Sequence, residues 1–130
     1  MHSFGRTANN RVLAQIYPEP ELWVNAIAAR DFNLSHGGYV RLVNQDGVRS
    51  DPVKVKVTQR IRPDSVFLPH GFGQHAEKLR RANGRGTADN DLMTRIEVDG
   101  IMGGTSTNTN FVTFLPEPAR RPAAAAGEDA

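Results

Sequence analysis

Tyr39-Val40-Arg41-Leu42-Val43, then Asn44-Gln45-Asp46-Gly47, then Val53-Lys54-Val55-Lys56-Val57-Thr58 is the stretch on which the fold turns. Apolar and polar residues alternate on both flanks, the period of a strand with one buried face, and Asp46-Gly47 supplies the dipeptide of a tight hairpin. The expected unit is a half-buried antiparallel hairpin, with Val40, Leu42, Val53, Val55 and Val57 sharing an inner face and Lys54 and Lys56 solvated. A doubly wound parallel sheet needs crossover helices of about ten or more residues between successive strands, and a hairpin in mid-chain breaks that pattern. The expectation is therefore a mainly β domain with short helices, built as a small barrel or compact sheet.

Upstream of the hairpin, Leu22-Trp23-Val24 reads as a short strand, and Asn25 stands where its side chain caps a helix over 26–32, with Asn33 as the C-terminal cap. Before it, Asn9 or Asn10 caps a short helix over 11–16 that turns Leu13 and Ile16 inward and stops at Tyr17-Pro18-Glu19-Pro20. Downstream, Ile61-Arg62-Pro63-Asp64 makes a turn, 65–68 a strand, 75–82 a short basic helix and 83–90 a loop. Arg95-Ile96-Glu97-Val98 is a further strand, 100–110 a polar, glycine-rich loop and 111–115 the closing strand. Beyond 116 the chain shifts to proline and alanine, so the division is a domain over 1–116 and a disordered tail over 117–130.

Composition removes whole classes of function. The 130 residues suit one domain, and a net charge of +2 forces neither nucleic acid nor a membrane surface as partner. Thirteen arginines against three lysines suit forked pairing with phosphate, although GC-rich coding produces the same bias. With no cysteine there is no disulfide, thiolate metal site or thiol nucleophile. No run approaches the roughly 20 apolar residues of a membrane span, and the N-terminus lacks an apolar signal core, so the compartment stays open. Of His2, His36, His70 and His75 only the last two are close in sequence, too few for a metal site. Ser3, Ser35, Ser50, Ser65 and Ser106 sit in no nucleophile-elbow context. Lys78, Arg80, Arg81 and Arg85 lack interleaved aromatics for stacking bases and read as a solvated face.

The residues that carry chemistry lie between 65 and 92. Val66-Phe67-Leu68 breaks into His70-Gly71-Phe72-Gly73, and residues 71–76 match the dinucleotide fingerprint of glycine, any, glycine, any, any, then alanine. A helix beginning near 74–76 would aim unpaired N–H groups at a phosphate. The second parallel strand that a Rossmann unit needs is missing, since 88–93 reads as loop. Two readings of the turn stay open: an anion site, or a strand-to-helix turn without a ligand. His70 is a donor to a phosphate or heterocycle, or a turn histidine satisfied by backbone. Asn9, Asn10, Asn25, Asn90, Asn108 and Asn110 all stand at element edges, where an amide suits the edge of a pterin or purine but also caps and turns.

Taken in order, Ser3-Phe4-Gly5-Arg6-Thr7-Ala8-Asn9-Asn10, Glu21-Leu22-Trp23-Val24-Asn25 with Ala28-Ala29, the hairpin, Ile61-Arg62-Pro63-Asp64, His70-Gly71-Phe72-Gly73 and Asn90 make up a pattern. It resembles the C-terminal domain of molybdopterin-dinucleotide oxidoreductases. Within that group it looks most like the polysulfide and thiosulfate reductase catalytic subunits, where Arg-Thr-x-Asn-Asn and His-Gly-Phe-Gly recur. The resemblance spans about residues 1–115. It implies a double-psi β-barrel closing over a molybdenum-bis(molybdopterin guanine dinucleotide) cofactor.

On this resemblance Arg6, Thr7, Asn9 and Asn10 would line a pterin, and Asn25 would contact a guanine or its ribose. His70, Gly71 and Gly73 would approach the dinucleotide, while Asn90 and Asn110 would edge the heterocycle. It also implies that iron-sulfur and molybdenum-ligating regions lie on the remainder of a catalytic subunit, with an iron-sulfur electron-transfer subunit as a further partner and no nucleic acid or membrane insertion. Met1 falls inside the first cofactor-contacting loop, so the expectation is a piece of a larger or split enzyme, not catalytic alone. The rival expectation is a free-standing small β-barrel, an interaction or small-ligand module whose polar loops serve only as turns.

Overall fold

A computed structural model of the protein describes residues 5–106 and 109–116; His2, Ser3, Phe4, Asn108 and the tail from 117 lie outside the described residues. The elements in order are α1 (Gly5–Ala8), α2 (Leu13–Ile16), β1 (Glu21–Asn25), α3 (Ala26–Asp31), β2 (Tyr39–Asn44), β3 (Val53–Thr58), β4 (Val66–Phe67), a 3-10 turn (Asp89–Leu92), β5 (Glu97–Val98), β6 (Thr105–Ser106) and β7 (Val112–Pro116). The domain is thus mainly β with short helices. Its principal sheet has the strand order β4-β1-β3-β2-β7, with a separate two-stranded β5-β6 sheet. The edges β4 and β7 are not paired to each other, and among the described residues no closed barrel forms.

The alternation in β2 and β3 is realised as expected on the buried side. Val40, Leu42, Val53 and Val55 join Leu22 and Val24 of β1 in one core, completed by Ala28 and Ala29 of α3 and by Leu92. Val57 packs against that core while remaining partly exposed. Burying each of the larger side chains stabilises by about 1.5–3 kcal/mol. Asp46-Gly47 turns the chain, with Gly47 at φ +81 and its N–H donating to the Asn44 carbonyl. The return begins with a bridge between Val43 and Arg49, is interrupted at Asp51-Pro52, and resumes in register at Val40 against Val53. Proline lacks the N–H that an unbroken ladder would use.

Four expectations need correction. Lys54 and Lys56 are not simply solvated: each is half-buried and ion-paired, Lys54 to Glu19 at 3.5 Å and Lys56 to Glu21 at 3.1 Å. Those pairs exist because β1 lies parallel to β3, with Glu21 opposite Lys54 and Trp23 opposite Lys56. Ile16 is 68% exposed and Ala14 is the buried residue of α2. The strand expected over 95–98 shortens to Glu97–Val98 and pairs with β6, apart from the main sheet.

The fourth correction concerns residues 75–82, which form no helix. The segment is a compact loop closed at its base, Gly73 N–H donating to the Arg85 carbonyl at 2.9 Å and Gly84 N–H to the Gln74 carbonyl at 2.8 Å. A helix of two turns is marginal in water, and tertiary contacts decide against it here. Phe72 and Ala82 are drawn into a small cluster with Ala8, flanked by Tyr17 and Leu79. This second cluster, at the opposite face of β1 from the core, is what joins the N-terminal segment to the glycine turn.

Candidate functional site

Because Leu22 and Val24 enter the core, Glu21 and Trp23 project from the other face of β1. The short helices α1 and α2 and the segment 67–72 stand around that face. Between them is a cleft of about 370 Å³ lined by Thr7, Ala8, Leu13, Ile16, Tyr17, Glu21, Trp23, Lys56, Phe67, Pro69 and Phe72. Trp23 and Phe67, partners across β1 and β4, meet edge to face at 5.5 Å. Tyr17 meets Phe72 in the same way at 5.7 Å. Lys56 reaches Glu21 while its ammonium lies 5.1 Å from the Trp23 ring centroid, a cation–π contact. The walls are thus flat apolar rings with one ion pair among them, chemistry that accepts a flat ring system bearing polar edges.

The Arg6-to-Asn10 run divides into two parts. Thr7 lines the cleft and Arg6 is exposed. Asn9 and Asn10 instead turn their side-chain oxygens onto the protein. Asn9 Oδ1 accepts from the Arg81 and Ala82 N–H groups at 2.9 and 3.3 Å, stapling the 73–85 loop to α1. Asn10 Oδ1 accepts from the Val12 and Leu13 N–H groups at 3.0 and 3.1 Å and so caps the approach to α2.

His70-Gly71-Phe72-Gly73 runs along the opposite rim, with Pro69 and Phe72 in the lining. The reading of this turn as a helix N-terminus for phosphate is overturned, since no helix follows and the Gly73 N–H is bonded to Arg85. Gly73, at φ +72, is required for a different reason: a Cβ there would lie 2.0 Å from the Ala88 nitrogen and 2.4 Å from the Thr87 carbonyl carbon. Gly71 also has a positive φ, +94. His70 Nδ1 lies 2.8 Å from each carboxylate oxygen of Asp89.

The remaining asparagines are not gathered at the cleft. Asn25, 7% exposed, accepts from the Ile27 N–H at 2.8 Å and donates to the Ile61 carbonyl at 2.6 Å, so it both caps α3 and ties down the turn after β3. Asn90 is exposed within the 3-10 turn. Asn110 accepts from Gln45 Nε2 and the Arg95 N–H at 2.9 and 3.1 Å and donates to the Arg95 carbonyl at 2.9 Å. It belongs to a clamp at the far end of β2, where Arg95 and Thr94 hold Asp46. The Arg95 guanidinium, with the Thr94 hydroxyl, keeps the Asp46 carboxyl below the ordinary carboxylate value, and Arg95 is raised in turn. From the strand registers this clamp is about seven residues along the sheet from Trp23, roughly 23 Å at ~3.3 Å per residue.

The sequence does not nominate Tyr17, Trp23, Phe67, Phe72, Glu21 or Lys56 as site residues. Alternation in 21–25 is the signal that sets Trp23 opposite Leu22 and Val24; the pairing of Trp23 with Lys56 follows only from the parallel register.

A family model described as the Molydopterin (molybdopterin) dinucleotide binding domain matches residues 1–111. Over 114 residues the chain is 28% identical to the thiosulfate reductase molybdopterin-containing subunit PhsA of Salmonella typhimurium. That match takes in 88% of this chain and 14% of the relative, so the chain spans a small part of that subunit's length. Family match, motif order and the meeting of the two motif segments at one cleft agree: the chain belongs to the molybdopterin dinucleotide binding domain family.

Proposed function

We propose that this chain forms one wall of the site for a molybdenum-bis(molybdopterin guanine dinucleotide) cofactor, within a catalytic subunit that reduces or oxidises a sulfur compound or related oxyanion. The observation that carries the reading is convergence. Asn9 bonds Arg81 across 72 positions and Ala8 packs on Phe72, so the Arg6-to-Asn10 and His70-to-Gly73 segments flank one aromatic cleft. At about 370 Å³ the cleft is at the lower end of the roughly 300–1,000 Å³ of small-molecule sites. It has room for one ring system of such a cofactor rather than the whole dinucleotide.

Thr7 would offer a hydroxyl at the rim, Arg6 a guanidinium for phosphate, and Trp23 and Phe67 ring surfaces for a heterocycle. Asn90, exposed, keeps its amide on the surface for a second contact. Asn9, Asn10, Asn25 and Asn110 act one step back, by holding loops. The redox chemistry is the cofactor's; this chain orients it and shields it from water. The remainder of the subunit would carry the rest of the cofactor site, complete the open β4 and β7 edges toward a double-psi barrel, and dock an iron-sulfur electron-transfer subunit.

The test uses the chain produced together with the remainder of a catalytic subunit, with molybdenum and guanine nucleotide counted per chain. Base–aromatic stacking is worth about 1–3 kcal/mol, roughly 5- to 150-fold. Thr7→Val with Trp23→Leu should therefore lower cofactor retention at least fivefold. Undiminished retention in a folded variant would remove the cleft from the site. Trp23, the single tryptophan, also reports occupancy of the cleft by its fluorescence.

A further inference from the structure

Two ion pairs stand side by side on the outer face of the sheet, and they are completed differently. By register Glu21 lies opposite Lys54 and Trp23 opposite Lys56, yet each lysine reaches back along the neighbouring chain, Lys54 to Glu19 and Lys56 to Glu21. The Tyr39 hydroxyl, 3.1 and 2.9 Å from the two Glu19 carboxylate oxygens, closes the first pair. The second pair lines the cleft, where Glu21 and Lys56 are the only charged side chains among the described residues. Beyond each other and the face of Trp23, their charged groups meet no partner among the described residues. An ammonium has three N–H donors and a carboxylate about four acceptor sites, so one mutual contact at 3.1 Å leaves a donor and an acceptor held next to each other. In a half-buried, apolar setting such charged contacts are screened less than in water.

We propose that Glu21 and Lys56 are the specificity pair of the cleft, reading the edge that guanine and pterin share. The Lys56 ammonium donates to the ring carbonyl, and the Glu21 carboxylate accepts the adjacent ring N–H and the exocyclic amino group. The inference rests on the reading of the chain as a cofactor wall and names the edge that the wall recognises. That edge presents an acceptor and two donors in a row. Hypoxanthine lacks the amino group, and adenine offers one amino group beside a bare ring nitrogen. A phosphate presents no carbon-bound amino or ring N–H donors and meets Glu21 as a like charge.

Trp23 is the single tryptophan and Lys56 lies against its ring, so its indole ¹H–¹⁵N resonance reports on the cleft in the full chain. GMP, IMP and AMP share ribose and phosphate and differ only in the base. GMP should shift the resonance saturably, with IMP and AMP at least about tenfold weaker, the worth of one hydrogen bond to a charged group. Pterin against lumazine, its 2-oxo analogue, makes the same comparison for the second heterocycle, and the tighter of GMP and pterin identifies the ring that is held. Discrimination in neither series overturns the proposal.

Glu21→Gln, which keeps the shape, should reduce the preference for GMP over IMP to about threefold or less. Lys56→Met keeps the stem against Trp23 and should weaken GMP and IMP together, leaving their ratio intact. Glu19→Gln, in the neighbouring pair outside the cleft lining, should leave that ratio and the GMP affinity unchanged. A merely structural ion pair would alter stability without moving the base preference, so a preference that survives Glu21→Gln also overturns the proposal. If all the nucleotides shift Trp23 equally, this inference falls and the cofactor-wall reading stands. If none of the probes shifts Trp23, this inference falls, and molybdenum retention by the Thr7→Val, Trp23→Leu subunit decides whether the wall reading falls with it.

Discussion

Gly73→Ala separates two explanations for a glycine in a motif. If Gly73 exists to let a ligand approach the backbone, alanine should cost only the left-handed conformation, about 1–2 kcal/mol at φ +72. The structure says more. The added Cβ would sit 2.0 Å from the Ala88 nitrogen, and ordinary contact begins near 3.4 Å, so backbone must move by about 1.4 Å. Overpacking of that kind costs about 1–3 kcal/mol on top of the conformational term, for a total of about 2–5 kcal/mol.

Gly84→Ala is the matched control: it lies in the same loop at φ +67, and a Cβ added there would meet nothing within 4 Å. Urea unfolding of the two variants measures the difference. With a slope of about 1.5 kcal/mol per M for a domain of this size, Gly84→Ala should lower the midpoint by about 1 M and Gly73→Ala by about 1.5–3 M. Equal shifts for the two variants would refute the packing argument and return Gly73 to the ligand.

Other expectations follow from single contacts. Asn9→Ala should release the 73–85 loop, costing about 1–2 kcal/mol for two lost acceptor contacts; hydrogen exchange at the Arg81 and Ala82 amides should accelerate before the β-sheet amides do. Asn25→Ala removes a helix cap and leaves the Ile61 carbonyl without its donor, for a loss of about 2–3 kcal/mol in urea unfolding. Since the Asp46 carboxyl is held below its ordinary value by Arg95, its contribution is fully present above about pH 4 and is lost as the pH falls through the lower folded value. Melting temperatures of the unaltered chain and of Asp46→Asn should therefore differ at pH 7 and converge in acid; a gap that persists to pH 2 would contradict the assignment.

Much of the framework could be read from neighbouring residues, because the forces that set it are local. Strand alternation in 39–43 and 53–58, the Asp46-Gly47 turn and the Asn25 cap each depend on residues a few positions apart, and all appear in the structure. The family also became legible this way, through short motifs kept in order. The candidate site was legible only in part. Thr7 and the neighbourhood of His70 were found; the aromatic walls were not, since Tyr17, Trp23, Phe67 and Phe72 meet only after β1 has paired with β3 and β4.

The asparagines show where sequence alone stops. An amide at an element edge offers a donor and an acceptor whatever its task, so Asn9, Asn25 and Asn110 look alike on paper. Their tasks are set by partners 72, 36 and 65 positions away, Arg81, Ile61 and Gln45. The same distance effect undid the helix expected over 75–82. Residue propensities there favour a helical turn by tenths of a kcal/mol, whereas burying Phe72 and Ala82 against Ala8 and closing the loop through Gly73 and Arg85 are worth far more. By itself the sequence determined β1, the hairpin of β2 and β3, the closing strand and the family, all encoded in local periodicity and motif order. Only the tertiary structure decided which polar groups hold the protein together, because that depends on what each atom meets once the chain has closed.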